Sequence, residues 1–362
     1  MSFLDGIQKD GPGCIKESST ATASLDDCLA CSGCVSAEEL GVLARDPSSA
    51  IDREAKTSFV ISPQSKASIF DMYRSERISY RMFEKGLCVF LRNVFNVDQV
   101  IDTSYVRSKI YEEVYKEYLA TKHLIVSACP GVVTYVERTA PHLLGYLSRV
   151  KSPQQMAYSL VSRHKAVSVM PCQDKRLENG RDLAMFDAIL TTKEFHSILC
   201  SLSFGEFISE FDDACEMETH EMTQWNIGTS TGGYTEFVIG KECLSRLSDV
   251  REGVREHVVA SGDVLCQITG LENSINYFNT SKTSGPKYKM AEVFLCRGGC
   301  IAGPGQERTG KTGADSYDQC GKEKYEMVYS VFGEEELIKK AMEQRRMFAA
   351  VDVKRKTFKV DW

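Results

Sequence analysis

No stretch of the chain approaches the ~18 consecutive apolar residues of a membrane-spanning helix, so no such helix is expected. The opening MSFLDGIQKDGPG has neither a basic n-region nor an apolar h-region, which argues against a secretory signal. Basic residues are not in excess. A net charge of -6 and a pI near 5.7 speak against general binding to nucleic acid or to an anionic membrane surface. Internal repeats and long low-complexity tracts are absent too. The six histidines (His123, His142, His164, His196, His220 and His257) nowhere stand at metal-pair spacing, and read as surface or core fillers. What remains is the composition of a soluble globular protein, 43% hydrophobic and 26% charged. At 362 residues the core can be ample, in one large or two ordinary domains.

Cysteine is abundant, with fourteen in a chain that shows no signal. In a reducing compartment, metal or cluster ligation explains them better than disulfides do. Cys88, Cys200, Cys215, Cys243 and Cys266 sit among apolar or helical neighbours and are expected to pack as small hydrophobes. Cys320, in DSYDQCGKEK, looks exposed and has no assignment.

The texture changes along the chain. Residues 1 to about 65 are rich in Ser, Gly, Asp and Ala and would need a bound metal for organisation. From Phe70 a rhythm sets in. SERISYRMFEKGLCVFLRNVF reads as an amphipathic helix, NVDQVIDTS as a strand and YVRSKIYEEVYKEYLATK as a second helix. KHLIVSACPG follows as a strand, SPQQMAYSLVSRH as a helix, KAVSVMPCQDK and DLAMFDAILTT as strands, and KEFHSILCSLS as a helix. GTSTGGYTEFVIGKECLSRL reads as a glycine turn opening a helix; VREHVVASG, DVLCQITGL and KMAEVFLC read as strands. GEEELIKKAMEQRRMFAA is a late helix before the tail VDVKRKTFKVDW, whose run Lys354-Arg355-Lys356 reads as a solvated basic patch. Alternating strands and helices predict an α/β fold with parallel sheets, whose ligand sites lie at the carboxyl ends of strands.

Three segments deliver cysteine to such an end: Ala128-Cys129-Pro130-Gly131, Met170-Pro171-Cys172 and Cys296-Arg297-Gly298-Gly299-Cys300. Together they offer four thiolates, a donor set for a [4Fe–4S] cluster or for zinc. Structural zinc ligands usually arrive as two close pairs, so one pair with two distant singles suits the cubane better. A second group is CLACSGC, with Cys28, Cys31 and Cys34 two residues apart. It supplies only three ligands. A bacterial ferredoxin would set a Cys-Pro after three intervening residues, where Glu38 stands here, and a second ferredoxin run is missing. A zinc knuckle with a stray fourth ligand stays open at this point.

The ordered motifs resemble those of iron-only hydrogenases. MPCQDKRLE (Met170 to Glu178) matches M-P-C-x-x-K-x-x-E, and AEVFLCRGGCIAGPGQ (Ala291 to Gln306) resembles E-x-M-x-C-x-x-G-C-x-x-G-G-G-Q. SACPG resembles T-S-C-C-P, and STGGYTEF (Ser230 to Phe237) resembles the T-G-G-V-M-E segment. The departures matter. The cysteine that carries protons in those enzymes is replaced by Ala128, the methionine of E-x-M-x-C by Phe294 and one glycine by Pro304. Lys175, which in hydrogenases holds a diiron ligand, is kept. A proton donor must reach its target, so hydrogen chemistry is not expected.

CLACSGCV, a cysteine in the context Gly13-Cys14-Ile15-Lys16 and a terminal Trp362 are similar to the Nar (nuclear prelamin A recognition factor-like) branch of this superfamily. That resemblance covers nearly the whole chain. It implies a two-lobed iron-only-hydrogenase-like α/β body over 69–350, an irregular cluster-binding segment over 1–68 and a docking tail over 351–362. It implies two [4Fe–4S] clusters: one on Cys14, Cys28, Cys31 and Cys34, the other on Cys129, Cys172, Cys296 and Cys300. A loop from Cys14 to Cys28 can close at modest cost. It further implies a non-catalytic carrier in cytosolic iron–sulfur protein assembly, working between scaffold ATPases and a targeting complex with a WD-repeat subunit. Val360, Asp361 and Trp362 would dock on that complex, an aromatic anchor beside carboxylates. The expected protein is a cytoplasmic monomer, with a nuclear location also allowed. The alternatives are a redox enzyme related to hydrogenases and a zinc-stabilised interaction module.

Overall fold

The computed structural model of the chain describes residues 37–44, 47, 51, 53–161, 165–181, 185–212, 217–223 and 232–307. Within them the strands are β1 (Thr57–Ile61), β2 (Val97–Asp102), β3 (Leu124–Val126), β4 (Lys165–Met170), β5 (Ala188–Thr191), β6 (Leu244–Arg251), β7 (Val254–Val259), β8 (Val264–Thr269) and β9 (Met290–Phe294). The helices are α1 (Ala37–Ala44), α2 (Pro63–Tyr73), α3 (Tyr80–Phe95), α4 (Arg107–Ala120), α5 (Pro130–Thr139), α6 (Pro153–Tyr158), α7 (Asp174–Arg181), α8 (Thr192–Ser201), α9 (Phe204–Glu210), α10 (Tyr234–Glu242) and α11 (Leu271–Ser284).

Several helices start where sequence chemistry says they must. Proline opens α2, α5 and α6, where its missing N–H costs nothing. Ser62 accepts from the Ser65 N–H at 3.1 Å, and capping boxes at Ser152/Gln155 and Thr191/Glu194 start α6 and α8.

The first lobe holds a four-stranded sheet in the order β2-β1-β4-β5, with every pair parallel. The second holds five strands in the order β3-β9-β8-β7-β6. There β3, β9 and β8 run parallel, whereas β8, β7 and β6 are antiparallel. The first sheet is thus parallel, as expected, and the second is mixed. Arg251 and Val254 pair across a two-residue turn, far too short for the crossover a parallel neighbour needs. The same strand corrects the reading of CLSRL as helix: α10 stops at Glu242, and Leu244 already belongs to β6.

The body begins earlier than position 69. β1 is central to its sheet and wholly buried, and α2 starts at Pro63, so a boundary after 68 would sever β1 from its sheet and cut through α2. Side-chain alternation on β1 shows how the lobes join. Phe59 and Ile61 pack with α3, α8 and α9 on one face, while Val60 points into the core shared with the second sheet. α1 is tied to the same region. Glu39 receives Arg138 of α5 at 2.5 Å, and the Leu43 carbonyl accepts from Arg176 of α7 at 2.6 Å. Cys14, Cys28, Cys31, Cys34, Cys215 and Cys320, the late helix, and Val360, Asp361 and Trp362 lie outside the described residues.

Candidate metal centre

Three strand ends meet between the lobes. β3 runs into Ser127, whose hydroxyl donates to the Val293 carbonyl at 2.6 Å and accepts from the Cys129 N–H at 3.0 Å. That bridge fixes Cys129 as the cap of α5, next to β9. β9 leads through Leu295 to Cys296. The turn that follows returns the chain as Cys300, with the Gly299 N–H donating to the Cys296 carbonyl at 3.0 Å. Gly298 and Gly299 have φ of 77° and 80°, a region open to glycine and costly for other residues. β4, from the other lobe, ends at Met170 and runs into Pro171 and Cys172. The four cysteines expected from the sequence thus line one pocket, with Ala128, Lys175 and Phe294 beside them. Three come from the second lobe and one from the first.

The donors fit a metal cluster. Burial pushes the Cys129 and Cys172 thiols up, and Cys300 up to about 12. Among the further causes at Cys172 are its neighbours Cys129, Cys296 and Cys300, which places the four within electrostatic reach of one another. Four crowded thiolates cannot coexist in an apolar pocket without positive charge, and a metal supplies it while displacing the protons. Amide groups of Leu295, Val132 and Gly131 oppose the upward push at Cys129, as donors facing a thiolate sulfur do.

The loop after Cys300 fastens the two lobes. The Gly305 N–H donates to the Pro171 carbonyl at 2.9 Å, and the Lys193 N–H to the Gly305 carbonyl at 3.0 Å. Gln306 donates to the Gln64 carbonyl at 2.9 Å and accepts from the Thr192 hydroxyl. The space is tight. A Cβ on Gly303 would stand 2.5 Å from the Pro171 oxygen and 3.0 Å from that of Cys300. Its φ of -58° suits any residue, so the cost of Gly303→Ala is steric. We expect a loss of about 1–3 kcal/mol, measured by anaerobic denaturant unfolding.

Positions that mark the hydrogenase resemblance have taken other duties. Lys175 donates to the Ala128 carbonyl at 2.9 Å, across the lobes, and to Glu178 at 2.8 Å. Phe294 is 3% exposed. The Gly232-Gly233 turn before α10 meets an acidic side chain from within the chain. Glu292, buried, accepts from the Thr235 N–H at 2.9 Å and the Tyr234 N–H at 3.4 Å. Burial and then the charge of Glu236 push the Glu292 carboxyl up to about 7. A Cβ at Gly232 would fall 1.7 Å from the Glu292 oxygen, so this contact needs glycine. The Gly232 carbonyl is held by Arg107 at 2.5 Å and Tyr111 at 2.7 Å.

Of the cysteines expected to pack, Cys88 and Cys266 are buried. Cys200 and Cys243 are exposed, which corrects their reading: Cys200 ends a helix on its outer face, and Cys243 stands at φ 60° between α10 and β6.

Residues 55–304 match the family described as iron only hydrogenase large subunit, C-terminal domain. The cytosolic Fe-S cluster assembly factor NAR1 of Encephalitozoon cuniculi (strain GB-M1) is 55% identical over 365 aligned positions, covering 100% of both chains. The chain belongs to the iron-only-hydrogenase-like Nar family. More distant Nar relatives include the NAR1 assembly factor of Yarrowia lipolytica, 29% identical over 84% of this chain and 77% of that protein. The cytosolic iron-sulfur assembly component 3 of Bos taurus is 28% identical, covering 90% and 79%. Among solved structures, an apo [FeFe]-hydrogenase HydA1 variant from Chlamydomonas reinhardtii superposes with a TM-score of 0.60 at 19% identity, covering 86% of this chain and 98% of that one. That similarity shows that this chain has the fold of those hydrogenases.

Proposed function

We propose that this protein is a non-catalytic [4Fe–4S] carrier in cytosolic iron–sulfur protein assembly. The observation that carries the reading is a retained four-cysteine pocket beside an abandoned proton position. Cys129, Cys172, Cys296 and Cys300 line the pocket, Ala128 offers no proton, and the Lys175 amine is engaged by the Ala128 carbonyl and Glu178. These four residues would hold one cluster, which supplies a tightly kept inorganic core joining the lobes. Cys14, Cys28, Cys31 and Cys34 would hold a second, more accessible one, suited to transfer or repair. The names of the relatives, all assembly factors or components, support the role and a cytosolic location. Val360, Asp361 and Trp362 would dock the carrier on the targeting complex, and scaffold ATPases would load it.

Anaerobic iron and sulfide analysis, with paramagnetic resonance of the reduced protein, tests this. Two [4Fe–4S] signals without carbonyl or cyanide infrared bands are expected. Cys14→Ala should remove one signal and leave the other. Infrared bands would point to a hydrogenase-type enzyme, and zinc without iron to an interaction module.

A further inference from the structure

Away from the pocket, an exposed thiol has the partners of an activated nucleophile. His196 and Cys200 lie four residues apart on α8 and therefore share a face. His196 Nδ1 is 2.9 Å from Oε1 of Glu307. An ionised carboxylate only accepts, so the proton of a neutral ring sits on Nδ1 and Nε2 is left as the acceptor. Nε2 lies 3.4 Å from Cys200 Sγ and 3.1 Å from the Tyr73 hydroxyl, which is itself 3.6 Å from the same sulfur. The side chains of His196 and Glu307 are 12% and 23% exposed, while Cys200 is open to solvent. Glu307 is steadied in turn, its N–H donating to Ser68 Oγ at 3.1 Å. A nucleophile, a base within reach and a third group orienting the base make up the working arrangement of thiol and hydroxyl nucleophiles.

The other described thiols lack it. Burial pushes Cys88 up to about 11 and Cys266 up to about 12, which keeps them protonated and inert. Cys243 is exposed, yet no imidazole among the described residues is within hydrogen-bond reach of its sulfur.

We propose that Cys200 is a reactive thiol that exchanges with small disulfides, with His196 as its base and Glu307 as a positioning residue. The thiol proton passes from Sγ to His196 Nε2, and the thiolate attacks one sulfur of the disulfide RS–SR. The S–S bond breaks as Cys200–S–SR forms, and the departing RS⁻ takes the proton back from Nε2. One thiol and one disulfide become a mixed disulfide and a new thiol, so the small disulfide is the only co-reactant. The Tyr73 hydroxyl can donate to the thiolate while it exists. The site also touches the loop that closes the candidate metal centre, because Glu307 follows Gln306 and α8 begins with the residues that anchor Gly305 and Gln306.

The test uses the full-length holoprotein, anaerobically, with oxidised glutathione as the probe. Acid-quenched samples are digested, and the mixed disulfide on the Cys200 and Cys243 peptides is followed by mass spectrometry. Cys200 should react at least about tenfold faster than Cys243, a modest share of what a positioned base can give. His196→Gln should bring Cys200 down to the Cys243 rate without changing Cys243, and Glu307→Gln should fall between. Equal rates in the unaltered protein overturn the proposal, whatever the variants do. A Cys200 rate indifferent to His196→Gln overturns it as well.

Discussion

Cys172→Ala is expected, on the proposed two-cluster reading, to cost the protein half of its iron and one of two cluster signals, with the signal assigned to Cys14, Cys28, Cys31 and Cys34 unchanged. The reason is the uneven origin of the ligands. Cys129, Cys296 and Cys300 come from adjacent strand ends of one sheet, and the second lobe can hold them in place alone. Of the four cysteines, Cys172 is the one that reaches the pocket from β4 and the first lobe. Without it a cluster would keep three thiolates and an open coordination position facing the gap between lobes. Ties that remain across that gap include the shared apolar core and hydrogen bonds such as Lys175 to the Ala128 carbonyl and Gly305 to the Pro171 carbonyl. Such bonds contribute about 1 kcal/mol each, well below what a metal core bound to both sides adds to folding. The variant should therefore lose thermal stability along with iron. Cys266→Ala is the control, since that thiol is also buried and lies outside the pocket. Full iron in Cys172→Ala, measured anaerobically, would remove Cys172 from the ligand set.

The strand-end cysteines were legible because proline and glycine mark the turns that receive them. Cys-Pro at Cys129, Pro-Cys at Cys172 and the glycine pair before Cys300 announce where an apolar run stops. What the sequence hid was hidden for physical reasons. β1 is five residues long and buried on both faces, so it shows no alternation, and its flanks are polar. α11 is built of LENSINYFNTSKTS, rich in Asn, Ser and Thr, which favour caps and turns over helix interiors. Only its buried face, with Ser274, Tyr277, Phe278 and Ser281, explains the helix, and that face is set by tertiary packing. The Cys200 arrangement was half visible, since His196 and Cys200 stand at helical spacing. Its third member, Glu307, is 111 residues away, and nothing local connects the two.

Lys66→Met should destabilise the first lobe by about 3–5 kcal/mol, the cost of stranding buried charge. The Lys66 ammonium is fully buried between Asp102 at 2.9 Å and Glu84 at 3.1 Å, and it donates to the Glu221 carbonyl at 2.6 Å. Its pKa is raised: burial, the largest influence, favours the neutral amine, and the Asp102 and Glu84 charges together outweigh it. Removing the ammonium leaves those two carboxylates facing each other in the same dry space. Like charges held that close in a dry site repel, and that repulsion is the main part of the deficit, as read by anaerobic denaturant unfolding at neutral pH. A second change sharpens the result. Adding Glu84→Gln removes one of the stranded charges and should recover part of the loss, whereas Glu84→Gln alone, which deprives Lys66 of a partner, should be harmful. The sign of that coupling distinguishes an electrostatic cost from a simple packing defect. The consequence reaches the metal centre through α2, the helix that carries Lys66. Its Gln64 carbonyl holds Gln306, and its Ser65 hydroxyl lies 2.8 Å from that of Thr192, so loosening α2 slackens the loop that carries Cys300.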